Sequence, residues 1–230
     1  MKNWIIIALL LPLSFGVKAG TFELELEGFT SIRVAGNYKV TLKKGDVNKA
    51  EVVNKDEDVD DESVLMEVVR DELRVRLKAD TYKERAIEIV ITYKILNLIT
   101  AKKGCRVTFD QAIEKDRMEF EAESGGKIKA EIKTKKVIAS ISAGGSIHLN
   151  GTTDEAQYNV SAGGTIGAVS LAADKVIANV KAGGEIICTV ENDLSIKITS
   201  GGKVSYFGEP GAYEQNITLG GKIIKMNKTK

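Results

Sequence analysis

The sequence predicts an all-β chain wound as a right-handed, single-stranded parallel β-helix of about 19 residues per coil in its C-terminal half. Three observations predict it. Glycine pairs recur, and their second members, Gly126, Gly145, Gly164, Gly184, Gly202 and Gly221, are separated by 19, 19, 20, 18 and 19 residues. Each pair is followed by one polar or charged residue and then by Ile128, Ile147, Ile166, Ile186, Val204 or Ile223. Between the pairs, apolar or small residues keep a period of two, the mark of strands with one buried face. A repeat of this length belongs to architectures in which each unit buries its apolar side on its neighbours.

The phase of the alternation selects a coil over a row of hairpins. Residues flanking a two-residue hairpin turn share one side of the sheet. Here the flanks are Ala143 and Ser146, Ala162 and Thr165, and Ala182 and Glu185, one small and apolar, the other polar or charged. The alternation instead runs through the glycines. That places the second glycine, and Ser124, Ala143, Ala162, Ala182, Ser200 and Leu219 two residues before it, on the inner side. Glycine is then required where backbone approaches the core closely. Parallel stacking lays isoleucine on isoleucine up the interior, each worth about 1.5–3 kcal/mol of transfer free energy. The usual chirality of parallel crossovers makes the expected coil right-handed.

Along the chain, residues 1–19 read as a cleaved secretory signal. Lys2 is basic, Trp4 to Leu13 is apolar but short for a membrane span, and Val17-Lys18-Ala19 supplies small residues at a cleavage site. Residues 20–100 form a β-rich portion with wider, irregular turns, built from alternating runs such as Phe22–Glu27, Tyr38–Leu42, Leu73–Leu77 and Ile87–Ile91. This portion is expected to cover the open end of the stack, whose strand edges would otherwise be unpaired. Residues 101–230 form the regular β-helix. Lys222, Lys225, Lys228 and Lys230 charge the opposite edge, which discourages end-to-end growth.

Composition excludes several function classes. The chain carries 33 basic and 32 acidic residues, and loss of Lys2 and Lys18 with the signal leaves 31 against 32. Neither half is polarised enough for a nucleic-acid partner. No integral membrane segment follows the signal. The single histidine, His148, excludes a multi-histidine metal site, and no cofactor is expected. Two cysteines in an exported chain suggest a disulfide, but Cys105 and Cys188 fall about four coils apart, or roughly 19 Å, where a bond needs about 7 Å. Two free thiols are expected.

The candidate ligand-binding residues lie outward. Asn159, Asn179 and Asn216 share one phase, five residues before the second glycine, with Lys197 between them, and form a stacked row able to bond sugars. Lys181 and Glu185 bracket a glycine pair as an outward ion pair. The acidic run at residues 56–62 reads as a solvated loop or as a calcium site.

Phe29-Thr-Ser-Ile-Arg-Val-Ala-Gly36, followed by Tyr38-Lys-Val-Thr-Leu-Lys-Lys-Gly-Asp46, resembles the opening of the bacterial family called putative auto-transporter adhesin, head GIN domain. The Leu73-Arg-Val strand, the Ile87–Ile91 strand and the Gly-Gly coils are similar too, so the resemblance spans about residues 28–225. The chain departs from that pattern at Tyr93, where a proline is expected, and at Gly104-Cys105, where one glycine is missing. The resemblance implies an exported β-helical protein of the periplasm or cell surface, and no activity or functional residues. The leading expectation is a non-catalytic interaction protein that binds a surface protein or glycan through a lateral face. A carbohydrate-active enzyme using a carboxylate such as Glu123 or Glu131, and a self-associating envelope protein, are the alternatives. An oligomer is left open.

Overall fold

A computed structural model describes residues 20–57, 59–78 and 83–227; the expected signal segment lies outside them. Among the described residues, seventeen strands form one continuous sheet. They are β1 (Gly20–Glu25), β2 (Ser31–Ala35), β3 (Lys39–Lys44), β4 (Lys49–Asn54), β5 (Val64–Val69), β6 (Glu72–Leu77), β7 (Ile87–Tyr93), β8 (Leu98–Lys102), β9 (Arg106–Phe109), β10 (Ile113–Glu123), β11 (Lys127–Ser142), β12 (Ser146–Ala162), β13 (Thr165–Ala182), β14 (Glu185–Ser200), β15 (Lys203–Phe207), β16 (Ala212–Leu219) and β17 (Lys222–Met226).

The C-terminal half is a parallel β-solenoid. Ile128 pairs with Ile147, Ile147 with Ile166, Ile166 with Ile186, Ile186 with Val204 and Val204 with Ile223, every step parallel. The first five members of this column are buried and the last is half-buried at the open end. A second interior column alternates in size, Phe120, Ala139, Tyr158, Ala178, Ile196. Large residues thus sit over small ones, which fills the coil without overpacking.

Two ladders run the length of the stack. The strand segments before the glycine corners stack as β5–β6–β2–β8–β10–β11–β12–β13–β14–β16, and those after them as β1–β4–β7–β3–β9–β11–β12–β13–β14–β15–β17. The long strands β11 to β14 bend and serve both.

The N-terminal windings are not stacked in chain order. The β2/β3 winding lies between β6/β7 on one side and β8/β9 on the other. The first parallel winding, β2/β3, therefore lies inside the stack: the chain moves outward from it to β6/β7 and then returns past it to β8/β9. Beyond β6/β7 the direction reverses: β5 adds antiparallel to β6, β4 to β7, and β1 to β4.

The corners correct one expectation. Ser124, Ala143, Ala162, Ala182, Ser200 and Leu219, which the alternation places inside, are all exposed. At the third corner Gly163 has φ 71° and Gly164 φ 98°. Two successive left-handed residues swing the chain outward before it re-enters at Ile166, so the alternation is interrupted although its parity survives. The second glycine does approach its neighbour closely. A Cβ on Gly164 would lie 2.6 Å from Ile141 Cγ2 and 2.9 Å from the Gly145 carbonyl oxygen of the winding below.

Both thiols are free and buried. Cys105 takes the place of the missing second glycine, its carbonyl accepting the Lys127 N–H as the corner glycines do for the windings above.

Candidate functional site

The candidate site lies on the outer face of the first ladder, where strand periodicity turns every second residue to solvent. One column of this phase reads Arg74, Arg33, Thr100, Glu121, Ser140, Asn159, Asn179, Lys197, Asn216, with Thr100 alone buried. Parallel pairing in register brings these equivalent side chains within one strand spacing, about 4.8 Å, of each other.

Hydrogen bonds tie the middle of the column. The Asn179 amide donates to Asn159 Oδ1 at 3.1 Å, and the Asn159 amide donates to Ser140 Oγ at 3.2 Å. Thr100 Oγ1 donates to Glu121 Oε2 at 3.0 Å. Each asparagine keeps further donor and acceptor capacity facing solvent.

The N-terminal end of the column is ionic. Arg33 grips Glu72 with two bonds, Nε to Oε1 at 3.0 Å and Nη2 to Oε2 at 3.3 Å, while Arg74 Nε donates to the same Oε1 at 2.7 Å. The Arg33 guanidinium holds the Glu72 carboxyl below its ordinary range; burial opposes this and Arg74 adds to it.

A second outward column, two residues nearer the corners, carries Lys102, Glu123, Ser142, Ser161 and Lys181. Lys102 Nζ lies 2.6 Å from Glu123 Oε2. Between the two columns runs a groove of about 310 Å³ lined by Glu121, Glu123, Ser142, Ser161, Asn179 and Lys181, among others. Carboxylates mark one end and an exposed lysine the other, with hydroxyls and amides between. Such a surface can exchange hydrogen bonds with a hydroxyl-rich partner.

The structure sorts the expected residues. Asn159 and Asn179 are bonded together and line the groove. Asn216 continues the same column one winding past Lys197, fully outside the groove. Lys181 and Glu185 are separated: Lys181 lines the groove, whereas Glu185 has turned the corner onto the second ladder and pairs with Lys203 Nζ at 2.5 Å. The reason is geometric, since the corner glycines send residues four apart to different faces. Glu121, Ser140, Ser142 and Ser161 were not singled out from sequence. Their signal was present, because they fall five and three residues before the second glycine, as do Asn159 and Lys181.

Other clusters resolve as structural. Asn54 stitches the acidic loop by donating to the Val59 carbonyl at 2.6 Å and to Asp61 Oδ1 at 2.8 Å. Asp56 pairs with Arg85 at 3.4 Å and accepts the Ala86 N–H at 3.1 Å. Among the described residues, no three His, Cys, Asp or Glu side chains gather as a metal site; residue 58 of the acidic run lies outside them. His148 is exposed, with its ring beside Gly167.

Comparison with known proteins decides the family. The profile of the putative auto-transporter adhesin, head GIN domain family matches residues 28–210. The chain belongs to this family. Solved structures similar to it include a putative adhesin from Bacteroides fragilis, at 20% identity and TM-score 0.79, covering 92% of this chain and 98% of that one. A putative adhesin from Parabacteroides merdae matches at 18% identity and TM-score 0.69, covering 90% and 96%. A protein from Parabacteroides distasonis described as a putative lipid binding protein matches at 20% identity and TM-score 0.71, also covering 90% and 96%. At these identities the likeness establishes the shared fold. A search of curated proteins finds no match.

Proposed function

We propose that this head GIN domain protein is an exported, non-catalytic adhesin that binds a surface glycan, or a glycan-bearing surface protein, through the lateral groove. In this reading residues 1–19 direct export and are removed. The β-rich portion 20–100 covers one end of the stack, and the coils of 101–230 supply the binding face. The observation that carries the reading is the hydrogen-bonded row Asn179–Asn159–Ser140 beside a groove whose walls offer hydroxyls, amides, carboxylates and one lysine. Apart from Ile141 and Val160, which are buried, the side chains that line the groove are polar and suit a hydroxyl-rich chain better than an acyl chain. Repetition along the stack suits an extended polymer better than a compact metabolite.

The groove supplies poor material for hydrolysis or elimination. Glu131 lies beyond the corner on the second ladder, and the two carboxylates inside the groove are both engaged, Glu123 by Lys102 and Glu121 by the Thr100 hydroxyl. No helix among the described residues is long and apolar enough to cross a membrane.

A glycan-array screen of the exported chain, with and without calcium, tests the proposal. Binding without turnover is expected, and an Asn159→Ala/Asn179→Ala double variant is expected to lose it while staying folded. Release of product from a polysaccharide, or glycan binding untouched by the double variant, would overturn it.

A further inference from the structure

The two ends of the solenoid are finished differently. Every residue of β16 is exposed, although it is the last full strand of the first ladder. Tyr213 is 44%, Ile217 43% and Leu219 70% accessible. Among the described residues β16 pairs with β14 along one edge only, which leaves the N–H and C=O groups of every second residue open on the other. Of the other edge strands, β1 carries Glu23 and Glu25, and β17 carries Lys222 and Lys225, charges that discourage pairing; β5 carries one charge, Glu67, but is largely part-buried, with Met66 and Val68 packed on the core. β16 has neither proline, glycine nor lysine, and a single charge, Glu214. The lysines of the C-terminal segment therefore guard the β17 edge and leave β16 unguarded. An open edge of this length and composition is an association site.

We propose that the occupant is a second copy of this chain, docked end to end about a two-fold axis. The shape of the ends selects the symmetry. At the C-terminal end the ladders finish level, because β16 and β17 belong to one winding. At the N-terminal end they do not: the second ladder runs two strands beyond β6/β7, through β4 to β1, while the first runs one, β5. A head-to-tail copy would seat β1 on β17 and hold β5 about 4.8 Å too far from β16 to pair. A two-fold copy brings level end to level end and closes the β16 edge on its own equivalent, leaving the lysine-guarded β17 edges unpaired.

β16 is self-complementary when it pairs antiparallel with its copy about Gln215. Tyr213 then faces the partner's Ile217, Gln215 faces its equivalent, and Glu214 faces the partner's Asn216, so no like charges meet. A winding of about 19 residues has a perimeter near 63 Å and, with its outward side chains, an end area on the order of 500 Å². Two ends bury on the order of 1,000 Å², the lower bound for a specific interface, so the dimer is reversible. Because β16 extends the first ladder into its copy, both grooves open on the same side. Two grooves facing one surface bind it with avidity beyond that of either alone.

Sedimentation of the exported chain from low to high micromolar concentration tests this. The average mass is expected to rise from one chain to two and stop there. Ile217→Lys and Leu219→Lys are each expected to hold it at one chain. Both residues are already solvent-accessible, so melting temperatures should be unchanged, and either variant reports if the other fails to fold. A single-chain mass at every concentration, a dimer indifferent to both variants, or a mass climbing past two chains would each overturn the proposal.

Discussion

The side chains of Asn179 and Asn159 are bonded amide to amide at 3.1 Å, although the residues are 20 apart in sequence. The bond exists because one coil advances the chain by a single strand spacing, so equal offsets from successive corners become neighbours. Asn179→Leu removes a donor and leaves Asn159 Oδ1 to solvent. It should lower stability by about 0.5–1.5 kcal/mol, the net worth of one such bond, and urea unfolding checks this. An unchanged midpoint would mean that the row adds nothing to the fold.

The inward column should be far less tolerant than its immediate neighbour. Ile166 is fully buried, and Thr165 beside it is half-exposed. Ile166→Asp buries a carboxylate among apolar residues and is expected to cost more than about 4 kcal/mol, against less than about 1 for Thr165→Asp. Equal melting temperatures would refute the phase of the coil.

The two glycines of one corner separate conformation from space. Gly163 has open space where a Cβ would point, so Gly163→Ala costs only the left-handed backbone, about 1–2 kcal/mol. Gly164→Ala adds a clash with Ile141 and with the Gly145 backbone, and should cost at least about 2 kcal/mol more. Denaturation of the two variants side by side measures the difference.

The Arg33–Glu72 pair predicts an acid dependence. Glu72 titrates below its ordinary value of 4.5 in the fold, so its contribution is complete above that value. It fades as pH falls through the lower folded value. Wild type should therefore exceed Glu72→Gln in stability at pH 7, and the gap should close toward pH 3. Partial exposure keeps the gap to about 1 kcal/mol. A gap that widened in acid would contradict the assignment.

The thiols should be silent in the native state. Burial pushes Cys188 up to about 12 and pushes Cys105 up further. Neither is expected to react with iodoacetamide at pH 8 until the chain unfolds, when mass spectrometry should find two adducts. A species two hydrogens lighter that resists alkylation would reveal a disulfide and break the coil geometry.

Much of the candidate site was legible as an offset. Asn159, Asn179 and Asn216 were found by counting back from the glycines, and the same count reaches Ser140 and Glu121. The pairing of Glu185 was not legible, because its partner Lys203 lies in the same column one winding on, whereas Lys181 is nearer in sequence but across a corner. Exposure of Ala143, Ala162 and Ala182 was hidden for a related reason. Small residues suit either an inner face or a tight outward corner, and composition does not separate the two.

By itself the sequence determined the coil: its period, its parallel register and the column from Ile128 to Ile223. Translational repetition makes each contact a copy of the last, so local spacing is enough to specify it. Only the tertiary structure decided that the first winding lies between the second and third, that the stack begins in antiparallel strands, and that β16 is the last strand of its first ladder among the described residues. Those features depend on pairings such as Ile32 with both Leu73 and Ile99, made once and between distant segments. Their register is set by which edge is free when the chain returns, which no repeating pattern encodes.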